Sequence, residues 1–196
     1  MNVLFLTNEK ADKKEDITDL LEVYGEFFIE YHNKISLEFV KKNKIDFILS
    51  DRYSHIVSSE ILSYMKGNAI NTHPSLLPLN KGWQPLFFSV LNFNKVGVTI
   101  HNIDKGIDTG DILLQEEIFT SKEDTLRTLH YICRRTIVYL LSKNWKKIVK
   151  KEITPLKQNT KGTYFYKKEF EKKFSMLEKG WDSNIKEIQN LSKLKN

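Results

Sequence analysis

Residues 71–78 read NTHPSLLP, and residues 97–110 read GVTIHNIDKGIDTG. In an extended strand, side chains two apart point to the same face, so Asn71 and His73 reach toward one pocket. Pro74 favours an extended backbone at His73 and discourages continuation of a ladder. The pair therefore reads as the rim of a strand. The second stretch returns with His101 and Asp108, and its Thr99 alternates with His101, so those two share a side.

Outward from these segments the chain alternates between short strands and helices. NVLFLT (2–7) has the unbroken apolar run of a buried parallel strand. A charged stretch, 8–17, leads into a short helix through DITDLLEVY, and FFIEYHN follows as a second strand. SLEFVKKNK (36–44) fits a helix, IDFILS (45–50) a third strand, SSEILSYM (58–65) a helix and AINTH (69–73) a fourth strand. QPLFFSVLN (84–92) reads as a helix, GVTIHNI (97–103) and DILLQEEIF (111–119) as strands. Thr120 and Glu123 have the spacing of a capping box before a long helix. In that helix Leu126, Leu129, Cys133, Ile137, Leu140 and Leu141 form one stripe, with Cys133 a small core residue. The alternation predicts an α/β layered fold with a mostly parallel sheet, in which ligands gather at the carboxyl ends of strands. Beyond residue 150 the pattern turns ragged. GTYFYKKEFEKKF (162–174) mixes aromatic and charged residues, and SNIKEIQNLSKLKN is a polar helix or a loose tail. The division expected is a catalytic domain over 1–150 and a short extension over 151–196.

Composition narrows the function classes. A chain of 196 residues that is 40% hydrophobic and 29% charged suits one compact domain with its own core. Its single cysteine fits a reducing compartment. No apolar run reaches the roughly 18 residues of a membrane span, and MNVLFLTNEK lacks the pattern of a signal peptide, so a cytoplasmic location and no membrane partner are expected. The net charge of +6 comes mostly from lysine, as in KNWKKIVKK (143–151). It reads as solvated surface or as an aid to small anionic substrates, since no recognisable nucleic-acid module accompanies it.

Several sites are excluded by their missing motifs. The first strand runs into NEKADKKED, with neither a G-x-G-x-x-G fingerprint nor a phosphate loop. There is no C-x-x-C and no H-E-x-x-H, and nothing in the spacing of His73, His101 and Asp108 demands a metal. Ser75 lacks a nucleophile elbow and reads as a turn residue.

NTHPSLLPLNKG followed by GVTIHNIDKGIDTGDILLQ resembles the folate-dependent formyltransferase family. The resemblance implies a Rossmann-like, three-layer α/β/α domain and N10-formyltetrahydrofolate as co-substrate. It also implies that Asn71, His73 and Asp108 form the catalytic set, with His101 and Thr99 supporting it and no metal required. Leu77, Pro78, Gly106, Ile107 and Gly110 are the expected cofactor-binding residues. Among branches, TNEKADKK (7–14) stands where glycinamide ribonucleotide enzymes carry a glycine-bearing loop, and some 50 residues beyond 143 are too few for the C-terminal β-barrel of the methionyl-tRNA enzymes. DFILSDRYSHIV (46–57), LPLNKGWQPLFFSV (77–90) and GTYFYKKEF (162–170) look closer to the nucleotide-sugar N-formyltransferases. The substrate implied is dTDP-4-amino-4,6-dideoxyglucose or its 3-amino analogue, in lipopolysaccharide O-antigen or other surface-glycan building, with a homodimer as the expected assembly. Arg52, Tyr53, Lys81 and Trp83 are the candidate substrate-binding residues. For Arg52 and Tyr53 a plain salt-bridge role is the alternative, and Trp83 either stacks on a ligand ring or fills core space.

Formyl transfer is attack by an unprotonated amine on a formyl carbon, which places negative charge on the formyl oxygen. The Asn71 amide is a donor for that oxygen regardless of pH. His73 is expected to donate to the same oxygen and to protonate the departing nitrogen. Asp108, in a turn where Gly110 permits a left-handed backbone, would orient His73 or accept the amine's proton. His101 reads equally as support or as participant. The rival functions are formylation of another small amine, hydrolysis of the formyl donor, and an inactive basic protein binding nucleic acid.

Overall fold

The computed structural model describes residues 1–10 and 15–193. Part of the charged segment after the first strand and the last residues of the polar tail lie outside that range. Six strands form the main sheet: β1 (Asn2–Leu6), β2 (Phe27–Tyr31), β3 (Phe47–Asp51), β4 (Ala69–His73), β6 (Val96–Asn102) and β7 (Ile112–Ile118). A two-residue strand, β5 (Lys81–Gly82), pairs apart from it with β8 (Tyr164–Phe165). The order in the main sheet is β2-β1-β3-β4-β6-β7. The pairs from β2 through β4 are parallel, and β6 and β7 are antiparallel to their neighbours. The sheet is thus mostly parallel, as the alternation predicts, with an antiparallel edge.

Period-two alternation divides the strands between two cores. Val3, Phe5, Phe47, Leu49 and Ile70 face α1 (Glu15–Val23), α4 (Pro85–Leu91) and α5 (Leu126–Val149). Leu4, Leu6, Ile48 and Ala69 face α2 (Leu37–Lys42) and α3 (Ser59–Met65). Both faces are covered, which is why the early strands read as unbroken apolar runs. The expected stripe of α5 is buried throughout, and burial pushes the Cys133 thiol up to about 12, as suits an inert core residue. Among the described residues no helix is long and apolar enough to cross a membrane.

The start of α5 departs from expectation. Thr125, not Thr120, is the N-cap: its hydroxyl accepts from the Thr128 amide (3.2 Å), and the Thr128 hydroxyl accepts from the Thr125 amide (3.0 Å). The cause is tertiary. Leu126 N donates to Ser183 O and Ile185 N to Asp124 O, so a bridge from the end of the chain sets where the helix begins.

The ragged region after 150 is packed rather than loose. Phe165 stacks on Phe88 (3.9 Å, 4°), and Phe170 of α6 (Lys167–Phe174) meets Phe87 edge-on at 5.2 Å. Ile188 of α7 (Ile185–Asn190) is fully buried in the same core. Phe170→Ala is expected to lower the unfolding free energy by about 3 kcal/mol in urea denaturation. A change under about 0.5 kcal/mol, the size of an ordinary surface substitution, would make the tail a dispensable appendage.

Candidate active site

Antiparallel pairing of β4 with β6 sets Asn71 opposite His101 and His73 opposite Thr99. Cross-strand partners share a face, so all four side chains lie on one side of the strand ends. The β6–β7 register slips between Ile100 and His101, an irregularity of the kind that re-aims a side chain beside a site. The loop after β6 then brings Asp108 back over them.

The hydrogen bonds fix the orientation of each group. The Asn71 Nδ2 donates to His101 Nε2 at 3.2 Å and to Asp108 Oδ1 at 3.4 Å. His101 Nδ1 lies 2.8 Å from the Asn102 carbonyl, which can only accept, so Nδ1 carries a proton and Nε2 is available to Asn71. By the same reasoning His73 Nε2 donates to the Asn80 carbonyl at 3.0 Å. Its other nitrogen, Nδ1, lies 3.6 Å from Asp108 Oδ2. That carboxylate oxygen also accepts the Gly82 amide at 2.9 Å.

Burial lowers the His73 pKa below its ordinary value, and the Asp108 charge opposes this only in part. The imidazole is therefore neutral near pH 7, with its lone pair at Nδ1. Burial alone would raise the Asp108 pKa. The charge of His73, the contacts of His101 and the Gly82 amide outweigh it and hold the carboxyl well below the usual range.

These groups border a cavity of about 1410 Å³ at the carboxyl ends of the strands. Single small-molecule pockets run to about 1,000 Å³, so this one has room for two ligands. Of the remaining sequence candidates, Gly106, Ile107, Arg52, Tyr53 and Trp83 line it. Arg52 also pairs with Asp51 (3.0 Å), and the Tyr53 hydroxyl donates to Asn33 O (2.5 Å). Trp83 is 39% exposed beneath the Lys167 ammonium, which places it outside the core. Leu77, Pro78, Thr99, Lys81 and Gly110 stand behind the wall. The Thr99 hydroxyl donates to Ser75 O and accepts from the Leu77 amide, bracing the 75–77 turn. Lys81 is buried, with its ammonium on the Lys161 carbonyl (3.3 Å). The left-handed residue of the I-D-T-G turn is Asp108 itself (φ 54°), while Gly110 is required because a Cβ there would come within 1.8 Å of Asn102 O. The Ser75 hydroxyl bonds Leu79 O, a turn role. No group of three or more His, Cys, Asp or Glu able to hold a metal occurs among the described residues.

Sequence reasoning passed over Asn80, Gly82 and Gln158. Gln158 Nε2 donates to the carbonyls of Asp108 (3.0 Å) and Gly110 (2.8 Å). Asn80 and Gly82 act through a backbone carbonyl and a backbone amide, which any residue supplies, and Gln158 meets Asp108 across 50 residues, so residue type marks none of the three.

The chain belongs to the formyl transferase family, whose model matches residues 8–140. It is 34% identical over 140 residues to methionyl-tRNA formyltransferase of Clostridium beijerinckii, an alignment covering 71% of this chain and 44% of that protein. The chain thus spans less than half the length of the curated relatives it matches. Among solved structures, the formyltransferase PseJ from Anoxybacillus kamchatkensis, in complex with UDP-4,6-dideoxy-4-formamido-L-AltNAc and tetrahydrofolate, superposes with a TM-score of 0.90 at 34% identity, over 98% of this chain and 100% of that one. The N-formyltransferase from Helicobacter canadensis, with folinic acid and dTDP-3-aminofucose, superposes with a TM-score of 0.65 at 25% identity, over 85% and 71%.

A 15N-resolved NMR titration is expected to give His73 a midpoint below about 6.5 and an Nε2-protonated neutral form. Asp108→Asn removes the opposing charge, so the midpoint should move lower still. A midpoint above the ordinary value would show the carboxylate winning over burial.

Proposed function

We propose that the chain transfers the formyl group of N10-formyltetrahydrofolate to the amine of a nucleotide-linked amino-dideoxy sugar. The observation that carries this reading is the convergence of Asn71, His73 and Asp108 beside a cavity with room for two ligands. The likeness to PseJ, which extends over 98% of this chain and the whole of that one, supports a sugar nucleotide and favours a UDP-linked 4-amino sugar beside the dTDP-linked ones. The residues present fit both ligands. Ile56, Val57, Ile103 and Ile107 offer apolar surface to a folate ring, and Lys10, Lys167 and Trp83 offer charge and an aromatic face to a nucleotide.

The folate supplies an activated formyl group. Asn71 Nδ2 is the donor for negative charge developing on the formyl oxygen, once one of its N–H groups turns from His101 or Asp108. With Nε2 committed to Asn80, Nδ1 is the working nitrogen of His73. It accepts the proton of the attacking amine, and the imidazolium formed is stabilised by Asp108 and by the Asn80 carbonyl. His73 then gives that proton to the nitrogen that leaves. Asp108 stays ionised throughout and holds the ring.

The test is mass spectrometry after incubation with N10-formyltetrahydrofolate and a panel of acceptors: UDP- and dTDP-linked 3- and 4-amino sugars, glycinamide ribonucleotide, methionyl-tRNA and buffer alone. A formamide on one sugar nucleotide is the expected product. Formylation of methionyl-tRNA alone, or formate released in buffer alone, would refute the sugar reading. Asn71→Ala should lower kcat roughly 10²–10³-fold. Adding Asp108→Asn to it should cost little more, because the groups act as a unit.

A further inference from the structure

We propose that Gln158 and Thr163, in the segment after α5, are positioning residues for the His73–Asp108 pair, so that the site is complete only with that segment in place. Three separate contacts carry the inference.

Gln158 grips the Asp108 turn. Its Nε2 bridges the carbonyls of Asp108 and Gly110, at and just after the left-handed residue that aims the carboxylate. The orientation of the amide is dictated by chemistry, since two carbonyl acceptors require the NH₂ end. Its Oε1 is buried with no hydrogen-bond partner among the described residues. A buried acceptor without a donor is costly, and this residue bears that cost while its other end ties down the turn.

Thr163 acts on His73 through Asn80. Its hydroxyl accepts the Asn80 amide at 2.8 Å, and the Asn80 side chain is anchored on the Ser89 hydroxyl at 2.8 Å. Asn80 is itself left-handed (φ 59°) and 1% exposed. The outcome is a carbonyl held against His73 Nε2, which selects the tautomer that leaves Nδ1 free on the Asp108 side.

The third contact is the β5–β8 ladder. Lys81 N donates to Thr163 O and Trp83 N to Phe165 O, both at 2.9 Å. Successive amides of a strand point to opposite sides, so the intervening Gly82 amide is turned toward Asp108 Oδ2. Gly162 allows the approach, because a Cβ there would lie 1.8 Å from Pro78 O. Segment 158–165 therefore sets the carboxylate's turn, one of its donors, and the histidine's tautomer.

The experiment compares Gln158→Leu, Thr163→Val and the hydroxyl-preserving Thr163→Ser in the full chain, each checked for folding by circular dichroism. In substrate-free protein, the His73 15N titration should move to a lower midpoint in Gln158→Leu and Thr163→Val, since each loosens a group that favours the charged ring, the Asp108 carboxylate in the first and the Asn80 carbonyl in the second. Thr163→Val should also lose its preference for the Nε2-protonated form, and Thr163→Ser should match the parent. In the formyl-transfer assay kcat should fall roughly tenfold to a hundredfold, with KM within about twofold of the parent. Unchanged midpoints, tautomer and kcat in folded variants would overturn the proposal, as would a loss confined to KM. If Gln158→Leu does not fold, Gln158→Asn, which keeps the amide but shortens its reach, is read in its place by the same criteria. The kinetic arm rests on the formyl-transfer reading, whereas the NMR arm does not. A shifted titration in a protein without transfer activity would keep the positioning role and discard the reaction.

Discussion

An ionised carboxylate with little solvent must be met by donors, because leaving it alone would cost several kcal/mol. Asp108, whose side chain is 11% exposed, is where this chain meets that demand. Asn71 and the Gly82 amide donate to it, and two histidines border it. The four come from β4, β5 and β6, so the carboxylate can be buried only when the strand ends, the loop after β6 and the small β5–β8 ladder are all in register. The same arrangement that makes the charge tolerable makes it useful, since it stands ready to stabilise a proton on His73.

The antiparallel edge of the sheet serves that constraint. A parallel neighbour needs a crossover and its chain would end beside β4, whereas β6 runs back and lays His101 and Thr99 across from Asn71 and His73. On the opposite face of the same strand ends, Asp51 collects Arg134 of α5 at 2.9 Å and the Thr72 hydroxyl at 2.6 Å. This buried pair joins β3 and β4 to the longest helix. The rim that carries Asn71 and His73 is thereby braced from below by α5 and from the side by the segment after it.

Much of this was legible before any coordinates. The strands at 2–6, 47–51 and 69–73 follow from apolar runs, the α5 stripe from its spacing, and the shared face of Asn71 and His73 from alternation alone. The resemblance carried by 71–78 and 97–110 pointed to the family. The illegible parts have physical reasons. Thr120 and Glu123 satisfy a capping rule that Thr125 won because the 183–185 backbone pairs beside it. Lys81 looks like a substrate ligand by charge, yet the ladder to β8 buries it against Lys161.

The sequence by itself determined the alternation of elements and the faces of the strands, because those depend on near neighbours, and the resemblance of its two motifs singled out Asn71, His73 and Asp108 as the candidate set. Tertiary structure alone decided which nitrogen of His73 is free, what turns the Gly82 amide, and why Asp108 holds a left-handed kink. Gln158 lies 50 residues from Asp108, and Thr163 lies 83 from Asn80. A hydrogen bond spanning such a distance leaves no local pattern, since either partner alone looks like an ordinary polar residue in a turn.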